Sequence, residues 1–358
     1  MNNAPFFSEI EISVFGPGIG EAIAFHYKDN WILIDSCIDH NTNKPVALQY
    51  LKKLSVDIES RVKLIVLTHW HDDHIKGSSQ LIKECKNAKI VLPNVFKEQE
   101  FRKLAVIYSK RSMVNPNGFD ELTKILHHIL QKEPDFCFGS VDTLLHQEEA
   151  GTDILNIYAI SPSSYVKFKN DVSLSSILQS HSQRINPPKH NYSSIATLIN
   201  VNDDSFLFGA DLEEFNKSTM GWGHVINHCK CINNTKSCFF KISHHGSHNG
   251  DNVKIWSDFL INNPIAAITP YSRGKTKLPS ETDISRIKSR TDRAFLTCYN
   301  LTSKFKDKTT LKAGKNILKN LRFIAKNNGQ VRIRINTETK EEKVELFNDA
   351  VELKQIQG

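Results

Sequence analysis

At Leu67 the character of the chain changes abruptly. The preceding run RVKLIVL, residues 61–67, is apolar at nearly every position, so it suits a strand covered on both faces, as parallel strands flanked by helices are. Directly behind it comes THWHDDHIKG, Thr68 to Gly77, with three histidines and two aspartates inside six positions. Such a join is either a polar turn that happens to be rich in histidine or one half of a metal site. In His69-x-His71-x-Asp73-His74, gaps of one residue let a short loop gather several donors round one point. Neutral imidazole with carboxylate suits zinc or a similar divalent ion. Asp72 reads instead as a solvent-facing or supporting residue.

A metal site needs donors from elsewhere, and two further apolar strands end in the same way. SFLFGADLEE sets Asp211 just past a Gly-Ala turn, where a carboxylate can bridge two ions or cap a helix. CFFKISHHGSHNG puts His244 and His245 at the end of another strand, ahead of Gly246 and Ser247. Strict alternation would place Phe240, Ile242 and His244 on one face, which favours His244 over His245 as the ligand while keeping both.

The rest of the chain supplies the frame. EIEISVF, AIAFHY and WILIDSC read as strands punctuated by GPGIGE and KDN, and NKPVALQYLKKLSV as an amphipathic helix with Pro45 near its first turn. IKGSSQLIKECKNA is helical in pattern and KIVLP extended. Residues 94–132 are mostly helical with a break at NPNG, a lid or wall for whatever precedes them. DILNIYAISP, SSIATLINV, SFLFGA, CFFKIS, IAAITPY, AFLTC and QVRIRINTE are strands, and PSETDISRIKSR is a helix with a capping signal. The expectation is one α/β domain over residues 1–358 with a helical insertion at about 94–132.

Composition narrows the partners and the compartment. With 46 Lys and Arg against 39 Asp and Glu, the formal charge of +7 favours anionic partners, yet no basic run interleaved with aromatics marks a nucleic-acid footprint. The amino terminus lacks a basic segment followed by an apolar one, and no run reaches the roughly 18 apolar residues of a membrane span. A cytoplasmic protein without a membrane partner is therefore expected. Seven scattered cysteines fit reduced thiols. HCKCINNTKSC offers His228, Cys229, Cys231 and Cys238 as a small thiolate zinc site, but their spacing fits no common finger, and ordinary thiols are the preferred reading. GPGIGE joins two strands and opens no helix, so it is no dinucleotide fingerprint.

Together, His69-x-His71-x-Asp73-His74, Asp211 and HHGS resemble the metallo-β-lactamase superfamily, and within it most resemble the hydrolase domain of the ComEC-type DNA-uptake proteins. That subfamily's GQGD-like turn stands here as GPGIGEA, with Glu21 for the acid. Its IDxG strand end appears as LIDSC, its NxxS strand start as NYSSIATLI, and its FLLTGDxE as FLFGADLE. The chain departs from the pattern twice. Most dinuclear members bring a further histidine between the first motif and the bridging aspartate, an interval in which His181 and His190 lie here ahead of the strand start at Asn191, and the late GHP motif reads KLP at Lys277 to Pro279.

The resemblance implies a four-layer αββα sandwich and a hydrolase that uses a metal-activated water. It implies one or two Zn2+ ions, with Mn2+ as the alternative. His69 and His71 would serve the first ion and Asp73 and His74 the second, with Asp211 bridging and His244 or His245 completing the set. Asp73 and His244 are the expected catalytic residues, and Ser247, Lys275 and Lys277 the expected substrate contacts. The favoured activity is that of a phosphodiesterase or nuclease, with nucleic acid or another phosphodiester as partner. A small-molecule ester, lactone or amide hydrolase, and a non-catalytic partner or sensor with a partial metal site, are the alternatives.

Overall fold

The computed structural model describes residues 3–94, 118–170, 190–232, 235–273, 276–299 and 328–356. The alternating and apolar runs of the first third become β1 (Glu9–Gly16), β2 (Ala22–Tyr27), β3 (Asn30–Ile34), β4 (Val62–Val66) and β5 (Lys89–Pro93), and β6 (Phe136–Gly139) completes this part of the sheet. Between and after them lie α1 (Val46–Lys53), α2 (Ile58–Arg61), α3 (Asp72–Ile75), α4 (Ser78–Glu84) and α5 (Gly118–Lys132). The chain then crosses into a second sheet of β7 (Thr143–Ala150), β8 (Asp153–Ala159), β9 (Thr197–Val201), β10 (Asp204–Phe208), β11 (Ser237–Lys241) and β12 (Leu260–Ile268), with α6 (Gly221–His228) after β10. A small hairpin, β13 (Tyr271–Arg273) and β14 (Thr276–Leu278), precedes α7 (Glu281–Lys288) and β15 (Ala294–Leu296). Finally β16 (Gly329–Asn336) and β17 (Glu342–Phe347) return to the first sheet, and β18 (Val351–Glu352) to the second.

The strand orders are β17-β16-β1-β2-β3-β4-β5-β6 and β18-β15-β12-β11-β10-β9-β8-β7. Within each sheet the strands that deliver the motifs run parallel to their neighbours: β3, β4, β5 and β6 in one, β10, β11, β12 and β15 in the other. Parallel strands send their carboxyl ends to one edge, which is where open α/β sheets place their sites.

Three layers of apolar side chains make the sandwich. Between the sheets, Ile12, Val14, Phe25, Ile32, Leu64 and Val66 meet Leu155, Ile157, Phe206, Phe208, Phe239 and Ile265. On the outer face of the first sheet, Leu33, Ile65 and Ile90 pack under Leu48 and Leu51 of α1, Leu81 of α4, and Leu122 and Ile125 of α5. On the outer face of the second, Leu207, Phe240 and Ala266 pack under Trp222 and Val225 of α6 and Ile284 and Ile287 of α7. Helix, sheet, sheet, helix is the αββα order. Strands buried on both faces explain why RVKLIVL and SFLFGA carry no polar alternation.

Of the anticipated insertion, α5 belongs to the outer helical layer, where Glu121 accepts the backbone N–H of Ser79 at 3.1 Å. Residues 95–117 lie outside the described residues, as do His181 and Lys275. Strands β6, β7 and β17 and the β13–β14 hairpin were not anticipated. β7 (TLLHQEEA) and β17 (EKVELF) are edge strands, whose solvated sides dilute the apolar signal. Among the described residues no helix is long and apolar enough to cross a membrane.

Candidate metal centre

The ends of β4, β10 and β11 meet at one edge of the sandwich. His69, just past β4, is fully buried, with Nε2 3.1 Å from His71 Nδ1 and 3.6 Å from Asp211 Oδ2. His71 stands at the N-cap of α3, and this one-turn helix sets Asp73 and His74 behind it. His74 Nε2 lies 3.3 Å from Asp211 Oδ1, and Asp73 Oδ2 lies 3.1 Å from His245 Nε2. Two sets result, His69 with His71 and Asp211, and Asp73 with His74 and His245. In each, the donor atoms lie within 4.8 Å of one another. Asp211 reaches across both, since its Oδ2 is also 3.7 Å from His245 Nε2.

The structure places His245, not His244, in this cluster. The alternation that favoured His244 ends at Lys241, and both histidines then adopt left-handed backbone, at φ 47° and 56°. His244 N–H is tied to the Ala210 carbonyl at 2.8 Å, and the turn swings the next side chain inward. His244 Nδ1 lies 2.8 Å from Asn249 Oδ1, and its Nε2 accepts from Asn191 Nδ2 at 3.2 Å. His245 is buried, donates Nδ1–H to the Thr269 carbonyl at 2.9 Å, and stacks on Tyr271 with ring centroids 5.1 Å apart. Non-glycine residues held in this conformation cost of order 1–3 kcal/mol and persist where their surroundings demand it, commonly at functional sites.

Behind the imidazoles stands a residue outside the ligand set expected from sequence. Asp35, fully buried at the end of β3, accepts Nδ1–H of His74 at 2.7 Å and the backbone N–H of Thr68 at 2.7 Å. Thr68 Oγ1 also donates to Asp35 at 2.7 Å, which leaves that hydroxyl to accept Nδ1–H of His69 at 3.0 Å. One carboxylate thereby fixes the tautomer of two histidines and turns both Nε2 atoms toward Asp211. The available signal was its position in LIDSC, an acid closing a buried strand.

A second support lies beneath Asp73. The turn before β2 brings the Glu21 N–H to the Asp73 carbonyl at 2.8 Å. Gly20 has φ 115°, and a Cβ there would lie 2.6 Å from Cys37 Cβ, so only glycine fits the approach. The Glu21 carboxylate is buried against Lys241 Nζ at 2.6 Å and accepts from Thr269 Oγ1 at 2.5 Å. Ser194 Oγ, from NYSS, accepts the Asp211 N–H at 3.1 Å.

The donor set fits a divalent cation. His74 Nε2 and Asp211 Oδ1 are buried and close, yet neither makes a hydrogen bond, as expected of two ligands aimed at one ion. Four imidazoles and two carboxylates are the nitrogen and oxygen mixture that zinc accepts. Burial, reinforced by His69, lowers the pKa of His71 to about 4, and burial with the neighbouring His74 lowers that of His69. Burial opposes charge on His74 and His245 too, but Asp211 and its fellow carboxylates outweigh it and raise both. Burial likewise opposes charge on Asp73 and Asp211, and the facing imidazoliums hold both below the ordinary carboxylate range. A dication can replace the protons that now balance this charge.

Of the expected substrate contacts, Lys277 is exposed on the β13–β14 hairpin and Ser247 half-buried beyond His245. Arg273, on the same hairpin, has a side chain 66% exposed, with Nη1 3.7 Å from Asp72.

A family model described as "Metallo-beta-lactamase superfamily" matches residues 15–238, more than half of the chain. No curated protein gives a significant match. Among solved structures, the chain is similar to the metallo-beta-lactamase SMB-1 bound to 2-mercaptoethanesulfonate, at 13% identity and TM-score 0.33, over 65% of this chain and 76% of that one. It is similar to Zn(2+)-bound PqqB from Methylobacterium extorquens, at 9% identity and TM-score 0.32, over 83% and 82%. It is also similar to the flavodiiron protein from Giardia intestinalis, at 14% identity and TM-score 0.27 over 54% of this chain, and spans 32% of that protein's length.

Proposed function

This chain belongs to the metallo-beta-lactamase superfamily, whose members are generally metal-dependent hydrolases, and from that premise we propose that it hydrolyses phosphodiester bonds, nucleic acid foremost. The proposed cofactor is one or two Zn2+ ions, with Mn2+ as the alternative. When bound, such ions bring the pKa of a water near 7 and polarise the bond under attack. His69, His71 and Asp211 would hold one ion, and Asp73, His74 and His245 the other.

The chain's own residues do the remaining work. Asp35, Thr68 and the Thr269 carbonyl keep the imidazoles aimed, so the ligands need little reorganisation. Asp73, held from behind through Glu21 N–H, is the carboxylate placed to orient a water. His244, pinned between Asn191 and Asn249 with its side chain 17% exposed, is left for the substrate side.

The observation that carries the phosphodiester reading is the β13–β14 hairpin. Tyr271 stacks on His245, and two residues on, the exposed guanidinium of Arg273 stands on the same strand. A guanidinium offers paired donors to a phosphate, whereas a neutral ester or lactone has no use for it. The test is turnover of bis(p-nitrophenyl) phosphate, DNA, RNA and cyclic nucleotides by zinc- or manganese-loaded protein, set beside p-nitrophenyl acetate and a lactone. Phosphodiester cleavage that Arg273→Ala weakens mainly through KM is expected. Ester or lactone cleavage with no action on any phosphodiester overturns the reading.

A further inference from the structure

On the second sheet's side of the molecule, the turn from β6 to β7 touches the end of α6. Asp142 lies in that turn, which carries the chain from one sheet to the other, and Cys229 and Cys231 lie just past the helix. Cys229 Sγ is 3.3 Å from Cys231 Sγ and 3.3 Å from Asp142 Oδ1. The same carboxylate oxygen accepts the backbone N–H of Lys230 at 2.7 Å and of Cys231 at 2.9 Å. The two sulfurs and the carboxylate lie within 4.8 Å of one another.

Of the thiolate set considered from sequence, Cys238 is not here. Its sulfur points to the Ser205 carbonyl at 3.5 Å and packs against the core between the sheets. Asp142, from a distant part of the chain, stands in its place.

We propose that Asp142, Cys229 and Cys231 form a second, auxiliary site for a thiophilic divalent cation of the zinc class, separate from the histidine and aspartate centre. Two sulfurs and a carboxylate are a donor set that such a cation prefers, and solvent can fill the fourth position of a tetrahedron. Among the described residues, no Lys or Arg side chain pairs with Asp142. Two backbone N–H groups hold its carboxylate in place before any ion arrives. Cys229 is the C-cap of α6, where aligned peptide dipoles favour positive charge. Binding releases the two thiol protons to solvent and leaves the thiolates on the ion, with no change of oxidation state. A disulfide is the poorer account, because 3.3 Å is far from the bonded length of about 2.05 Å and an anionic neighbour disfavours thiolate attack. The ion would clip the crossover between the two sheets to the outer helix.

The experiment uses full-length reduced protein, stripped with chelator and then given zinc or cobalt alone. Protection from alkylation scales as one plus the ratio of free ion to Kd, so ten-fold excess over Kd should slow iodoacetamide labelling of Cys229 and Cys231 by about ten-fold. Half-buried Cys137 is the internal reference and should label at an unchanged rate. Cobalt should produce a near-ultraviolet thiolate charge-transfer band that persists in His71→Ala and vanishes in Cys229→Ser/Cys231→Ser. Equal labelling of Cys229 and Cys231 with and without zinc overturns the proposal. So does a band that survives the double substitution. Should that variant fail to fold, the wild-type labelling decides alone.

Discussion

Asp35 accepts the Nδ1 proton of His74 at 2.7 Å, and through the Thr68 hydroxyl the same carboxylate also governs His69. A fully buried residue on the Nδ1 side of these imidazoles thus decides which nitrogen each presents to Asp211. Removing this control without removing a ligand separates support from coordination.

Asp35→Asn retains a side chain that tolerates the left-handed backbone found there at φ 58°, and it still accepts from the Thr68 amide. It cannot accept from both His74 and Thr68 Oγ1. Zinc affinity and turnover should fall by about 10–100-fold with the fold intact by circular dichroism. Wild-type affinity in a competition titration would remove Asp35 from the centre.

The two adjacent histidines should behave very differently. His245→Ala deletes a member of the cluster, so turnover should drop by more than about 100-fold, beyond what losing an outer partner costs. His244→Ala leaves both sets whole and should cost less than about 10-fold by the same measure. A reversed order in steady-state kinetics would return His244 to the ligand set.

Lys241 and Glu21 form an ion pair with no exposure on either side. Lys241→Met strands a buried carboxylate and should destabilise by about 3–5 kcal/mol, while Lys241→Met/Glu21→Gln should recover much of that loss. Urea unfolding of wild type, Lys241→Met, Glu21→Gln and the double variant gives the coupling. Additive losses would mean that the pair is not an energetic unit.

His26 sets a pH limit. Burial, against the favourable Glu9 carbonyl, lowers its pKa from 6.5 to about 4, and it is 2% exposed. The unfolded chain therefore binds the proton more readily between those two values. The stability His26 confers is present above pH 6.5 and lost as pH falls toward 4, by about 3 kcal/mol in all. In chelator, wild type should lose urea resistance over that window more steeply than His26→Gln. Parallel pH profiles would refute this.

The strand ends were legible because they are local. RVKLIVL, SFLFGA and CFFKIS are short apolar runs, each closed by an imidazole or carboxylate, and periodicity and residue type need no tertiary knowledge. The α7 start was equally legible, since Ser280 and Asp283 cap each other within four residues. The edge strands β7 and β17 were not, because a strand with one solvated side and no second neighbour reads as polar loop.

Within the centre the same division holds. The sequence by itself determined which residue types arrive, at which strand ends, and hence that His69, His71, Asp73, His74 and Asp211 belong together. Tertiary structure alone decided between His244 and His245, because two left-handed residues past β11 cancel the alternation from which a face is read. It alone joined Asp35 to His74 and Asp142 to Cys229, and buried Lys241 on Glu21. These partners are far apart along the chain. A hydrogen bond or ion pair at that distance leaves no period in the sequence, and forms only when the packed sheets bring its two ends within about 3 Å.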